Sequence, residues 1–196
     1  MKWVKTIITI ILLVLVCVAI YYGGLLGPIM TSGETYEKNG VTFIYPEGWS
    51  EANSVSEGSI AAVANPKDAN TSVVIQQVPP ELGNDLQQAY NTNNQGLTQY
   101  GNYIRIQEAS STLNNRSVLI HRYIINEPDG TQKEHVATWM KMSDGKLYVV
   151  LFSTPVESYE SQRSNYDKIV HSFKLIKDNE IKMDFLLIYN KYGGYI

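Results

Sequence analysis

An uncharged apolar run near the N-terminus constrains this chain more than any other feature. Residues 6–22, TIITIILLVLVCVAIYY, carry no charge and are mostly β-branched residues or leucine. As a helix the run is about 26 Å long, and extension to Leu26 reaches the roughly 30 Å of a bilayer's hydrocarbon core. Lys2 and Lys5 precede it. Positive charge stays on the cytoplasmic side, so the rest of the chain is expected outside the cytoplasm. Trp3 and the pair Tyr21–Tyr22 stand where interfacial aromatics belong. A cleaved signal peptide is the rival reading, but no pair of small residues in the small-x-small pattern precedes a plausible cut. Val14, Leu15 and Val16 likewise lack the small residues that lipoprotein processing at Cys17 would need. The reading is therefore a signal anchor over residues 1–24, a single pass with the N-terminus in the cytoplasm.

Cys17 is the only cysteine, so no intrachain disulfide can form, and it reads as an apolar residue of the span. The domain beyond must hold by packing alone, and the chain is long enough for one such domain. Without Lys2 and Lys5 the chain keeps 14 basic residues against 19 acidic ones. That balance argues against nucleic acid as a partner, because phosphate neutralisation needs a basic face. Lysine outnumbers arginine, and Asn, Ile and Tyr are plentiful, a composition expected of an AT-rich prokaryotic genome.

Residues 25–34 are Gly-containing linker, and the domain is expected over 35–177. Asn39-Gly40 between extended segments predicts a type I′ hairpin turn. Further strands are expected at 60–64 and 71–78. Residues 81–100 switch to helical spacing through Leu82, Leu86, Ala89 or Tyr90, Asn93, Leu97 and Tyr100. Strands then resume at 103–108, 117–126, 134–142 and 147–153. They are separated by turn signals at Leu113-Asn114-Asn115-Arg116, Pro128-Asp129-Gly130 and Ser143-Asp144-Gly145. A second helix is expected to start with Thr154 as N-cap, Pro155 in the first turn and Glu157 closing a capping box. Tyr159, Tyr166, Val170 and Phe173 mark its inner face. Strands, helix, strands, helix is an α+β order, with helices laid on a mostly antiparallel sheet. The tail, 178–196, includes the apolar stretch 183–189, which is too short to span a bilayer.

Several segments together resemble PsbP-like domains. Residues 40–49, GVTFIYPEGW, match the opening strand that ends in Tyr-Pro-x-Gly-Trp. An apolar strand running into Asn65-Pro66 follows, then a Val-rich strand. The pattern closes with 148–155, YVVLFSTP, a Tyr-containing helix, and 169–174, IVHSFK. The resemblance covers nearly the whole domain and implies an α/β/α sandwich around an antiparallel sheet. It also implies a non-enzymatic role, because the shared motifs are structural. A photosystem role is not expected for a chain with an anchor and no thylakoid transit peptide.

No nucleophile elbow, zinc-protease motif, phosphate-cradling loop or Cys pair occurs in the sequence. Asp129 and Asp144 sit in Asp-Gly turns, where the carboxylate caps backbone. His171 falls near a helix end, where a cation suits the dipole. His121 and His135 lie on consecutive strands. With the turn centred between Asp129 and Gly130, Ile124 would face His135 and His121 would face Thr138. The imidazoles would then point to opposite faces, while a loop one residue different would place them on one face as diagonal partners, and in neither case is a zinc site with its three or more ligands expected. No catalytic residue, cofactor or metal is assigned. Asn70-Thr71-Ser72 and Asn115-Arg116-Ser117 are sequons, acceptors for N-glycosylation in a host with the machinery. The functional expectation is a non-enzymatic, membrane-tethered, extracytoplasmic binding or assembly module with a protein partner in the envelope. Its rivals are a cell-envelope enzyme whose site is scattered through the sequence and a small-ligand or metal sensor.

Overall fold

A computed structural model describes residues 33–54, 58–99 and 101–177. The expected anchor, most of the linker and all of the tail lie outside these residues. Among the described residues no helix is long and apolar enough to cross a membrane.

The chain opens with β1 (Gly33–Lys38) and β2 (Val41–Pro46). Asn39 and Gly40 between them have φ of 54° and 78°, the two positive values that a type I′ turn requires. A short β3 (Ser50–Glu51), β4 (Ser59–Asn65) and β5 (Asp68–Gln77) follow. After a 3-10 turn at Pro80–Leu82 comes α1 (Leu86–Leu97). It starts five residues later than its periodicity predicts, because Asp85 accepts hydrogen bonds from the backbone N–H of Gln87 and Gln88 and so fixes the first turn.

Four long strands form a meander: β6 (Tyr103–Leu113), β7 (Arg116–Asn126), β8 (Gln132–Lys141) and β9 (Leu147–Pro155). After a 3-10 turn at Val156–Ser158, α2 spans Tyr159–Ser172, and β10 (Lys174–Leu175) pairs with β2. The main sheet has the order β3-β4-β5-β9-β8-β7-β6, with every pair antiparallel, and β1, β2 and β10 form a second, three-stranded sheet.

The capping box expected for the second helix does not form. Thr154 is still in β9, fully buried, with its hydroxyl 2.8 Å from that of Thr71 on β5. The two hydroxyls satisfy each other across the strands, so extended backbone wins over a helix start, and Ser158 precedes the helix without a side-chain cap.

Two cores flank the main sheet. On one face Phe43, Tyr45 and Trp49 pack with Val63, Ile75, Phe152, Tyr166 and Phe173 beneath α2 and the small sheet. On the other, Ala89 and Tyr90 of α1 pack on Ala137, Trp139, Leu147 and Val149. Helices on both faces of an antiparallel sheet are the sandwich that the element order implies.

Trp49 follows the turn that ends β2, and its N–H donates to the Pro46 carbonyl at 3.1 Å. Its ring is buried in the larger core. Trp49→Ala should lower unfolding stability by about 3–5 kcal/mol in urea titrations, the range for truncating a buried aromatic. A loss below about 1 kcal/mol would contradict this placement.

Candidate functional site

The turns between the meander strands decide which side chains share a face. Pro128-Asp129-Gly130 forms a three-residue loop. Gly130 N–H donates to the Glu127 carbonyl, Glu127 N–H donates to the Thr131 carbonyl, and Gly130 has φ of 86°. This is a type I turn closed by a left-handed residue. The Asp129 carboxylate accepts from the Thr131 backbone at 2.9 Å and from its hydroxyl at 2.7 Å, which holds its pKa below the usual carboxylate value. Ser143-Asp144-Gly145 repeats the pattern, with Asp144 accepting from Lys146 N–H at 3.0 Å. Both aspartates therefore serve as turn caps.

An odd loop corrects the expected register. Tyr123, not Ile124, faces His135, and His121 faces Ala137 instead of Thr138. His121 and His135 consequently lie on one face, diagonal across the hairpin, with Tyr123 between them. The Tyr123 ring is 4.7 Å from His121 and 5.0 Å from His135, the latter pair stacked.

This face is the one beneath α1. Glu108 faces His121 and Arg105 faces Tyr123 across β6, because a bulge between Arg105 and Gln107 keeps both on the same side. His121 is fully buried, and its Nε2 lies 2.8 Å from the Tyr103 hydroxyl and 4.0 Å from the Glu108 carboxylate. Burial lowers its pKa. Glu108 opposes that shift and Arg105 adds to it. His135 Nδ1 is 2.8 Å from the Ser153 hydroxyl. Burial, aided by Lys133, brings its pKa down from 6.5 to about 4. Burial also pushes the Tyr123 phenol up to about 12. At neutral pH both imidazoles and the phenol are uncharged. Tyr90 of α1 meets His121 at 6.0 Å and Trp139 at 6.1 Å, both edge-on.

A cavity of about 210 Å³ opens beside this cluster, between α1 and the sheet. Val78, Leu82, Tyr123, Ala137, Trp139 and Leu151 line most of it, and Gln76 and Asn93 add amides. Among the described residues, four buried side-chain polar atoms have no hydrogen-bond partner: His121 Nδ1, His135 Nε2, Trp139 Nε1 and Asn94 Nδ2. The three on the sheet belong to residues that face α1, and Asn94 is a buried residue of α1 itself.

The opposite face contrasts with this. Thr138 and Tyr166 hydroxyls meet at 2.6 Å, Thr71 pairs with Thr154, and Arg122 donates to the buried Glu134 carboxylate. The Arg122 guanidinium lies 3.9 Å from the Tyr159 ring centroid, a cation–π contact.

The sequons sit apart from this cluster. Asn70 is exposed on β5, and Asn115 is exposed in the β6–β7 turn with φ of 62°. His171 lies in the last turn of α2 and is exposed. No three His, Cys, Asp or Glu side chains gather in a metal-holding group among the described residues. The residues that sequence reasoning missed are Tyr90, Asn94, Tyr103, Tyr123 and Trp139. Correct hairpin parity, read from a three-residue Pro-Asp-Gly loop, would have put Tyr123 and Trp139 on the face of His121 and His135.

A family model described as PsbP matches residues 32–175. The solution structure of the cyanobacterial PsbP, CyanoP, from Synechocystis is similar at a TM-score of 0.56 and 18% identity, covering 76% of this chain and 95% of that chain. The Ran-binding protein Mog1p of Saccharomyces cerevisiae gives 0.50 and 14%, covering 74% and 97%. LpqN, involved in cell envelope biogenesis of Mycobacterium tuberculosis, gives 0.52 and 11%, covering 75% and 87%. No curated protein matches the chain. At these identities the solved structures establish a shared fold.

The half-buried imidazole of His135 has a consequence for pH. Its folded pKa is below its unfolded one, so stability is full above about 6.5 and falls as the unfolded chain takes up the proton between 6.5 and 4. The loss by pH 4 is up to about 3 kcal/mol. Unfolding titrations from pH 7 to 4 should show the gap between wild type and His135→Asn shift by that amount in the variant's favour. Parallel curves would contradict a neutral imidazole at His135.

Proposed function

This chain belongs to the PsbP family, and we propose that it acts as a non-enzymatic, membrane-tethered module that holds a protein partner outside the cytoplasm. The observation that carries the partner contact is β6. It is the last strand of the main sheet, eleven residues long, and among the described residues nothing pairs with its outer edge. Ile104 and Ile106 on it are 46% and 41% exposed, two of the three large apolar side chains so placed among the described residues. Free edges of this kind are templates for another strand, and folded proteins ordinarily blunt them. Added strands gain affinity from backbone hydrogen bonds and specificity from alternate side chains. The partner that suits β6 is an extended segment with apolar residues in alternation.

The tether rests on the uncharged run at 6–22 with Lys2 and Lys5 before it. The fold is compatible with such a role. Mog1p is Ran-binding, and LpqN serves envelope biogenesis.

The test places a photo-crosslinking amino acid at Ile106 in the full chain within native membranes. A discrete protein adduct should form there and not at exposed Glu47. Protease added to intact spheroplasts should digest the domain carrying that adduct. No adduct at 106, or equal adducts at 47, would overturn the edge-strand contact. Protection from the protease would overturn the outward placement.

A further inference from the structure

We propose that the occupant of the β6 edge is β6 of a second copy of this chain, paired antiparallel about a two-fold axis at Gln107. The inference rests on the β6 contact proposed above and names its partner.

Charge carries the argument. A strand that lies beside its own copy on a two-fold axis must complement itself, because the contact of i with j is also that of j with i. β6 has two charged residues, Arg105 and Glu108. Both are exposed, and both lie on the α1 side. The bulge makes Ile106 the extra residue, so Arg105 and Glu108 stand one ladder step either side of Gln107. Pairing centred on Gln107 therefore sets Arg105 of each copy opposite Glu108 of the other. Two unlike pairs result, and such pairs directly across a ladder favour association. Centres at Arg105 or at Glu108 would set like charges face to face, which disfavours those registers. Within one chain the two side chains approach only to 3.8 Å, and an exposed pair of that kind holds neither in place.

The apolar side agrees with this register. Ile104, 46% exposed, comes opposite Ala109 of the second copy on the α2 side. Ala109 lines a cavity of about 260 Å³ between α2 and strands β6 and β7, with Val118, Ile120 and Val170 among its walls. A large side chain thus meets a small one at the mouth of a partly apolar groove, twice per pair. The far edge of the main sheet does not invite the same contact. There β3 is two residues long, and its Glu51 is held by Lys38 at 2.6 Å. Association through β6 therefore closes at two copies.

The test uses the full chain in native membranes with Cys17→Ser, so that introduced thiols are the only ones. Residues facing each other on the axis have Cα atoms about 4.5–5.5 Å apart, within disulfide reach. Gln107→Cys should give a disulfide-linked dimer under mild oxidation. Ser110→Cys should not, because its copies would lie about 20 Å apart. With Gln107→Cys present, Arg105→Glu alone and Glu108→Arg alone should each cut the dimer yield about tenfold. The two variants co-expressed with different tags should restore the mixed dimer, since each then meets an opposite charge only across the axis. Equal yields at 107 and 110 would overturn the proposal. So would a mixed dimer no more abundant than either variant's own, with both variants folded. The comparison of 107 with 110 decides by itself if a charge variant fails to fold. The photo-crosslink at Ile106 separates the two readings. An adduct of twice the chain's mass supports the second copy. An adduct with a different protein overturns it and leaves the β6 contact standing, and no adduct overturns both.

Discussion

Two three-residue turns set the side of the sheet on which every residue of β7, β8 and β9 lies. A strand has a side-chain period of two, so one residue more or less in either loop turns the next strand over. With Pro128-Asp129-Gly130 and Ser143-Asp144-Gly145 as they are, odd-numbered residues of all three strands face α1 and even-numbered ones face α2. Gly130 and Gly145 supply the positive φ that closes each loop, and Asp129 and Asp144 fasten the backbone after it. The chemistry of both faces follows from four small residues outside either core.

The two faces divide the work of the domain. Beneath α2 the core is aromatic and aliphatic, and its buried polar groups are paired. Tyr36 stacks on Phe43 at 4.8 Å and Phe152 on Tyr166 at 5.2 Å. Beneath α1, the imidazoles of His121 and His135, the Trp139 indole and the Asn94 amide each keep an atom without a partner among the described residues. Such groups cost stability, and the fully paired face supplies the stability that tolerates them. The outer edge of β6, unpaired among the described residues, is a third feature of this kind, where blunting would be safer for solubility.

Much of this was legible in the sequence. Asn39-Gly40 named its own turn, and the inner face of α2 was read from Tyr159, Tyr166, Val170 and Phe173, all buried. Three readings failed for physical reasons. Thr154 has every local feature of an N-cap, but Thr71, far away in sequence, claims its hydroxyl. β6 runs to Leu113 although its second half, Ser110-Ser111-Thr112, lacks apolar alternation, because pairing with β7 alone holds an edge strand. A turn centred between Asp129 and Gly130 would put the imidazoles on opposite faces, and the Asp-Gly turn instead makes the odd loop that puts them on one. The α1-face site was hidden by that same error, since its members are spread from Tyr90 to Ser153 and meet only through register.

The sidedness of the sheet can be measured directly. In nuclear Overhauser spectra of the protein with labelled Tyr, Ile and His, the account predicts cross-peaks between the rings of Tyr123 and His135, and between those of Tyr123 and His121. Cross-peaks linking His135 to the Ile124 side chain, with none to Tyr123, would mean that the turn is even. The division of the sheet into a paired face and an unpaired one would then be wrong.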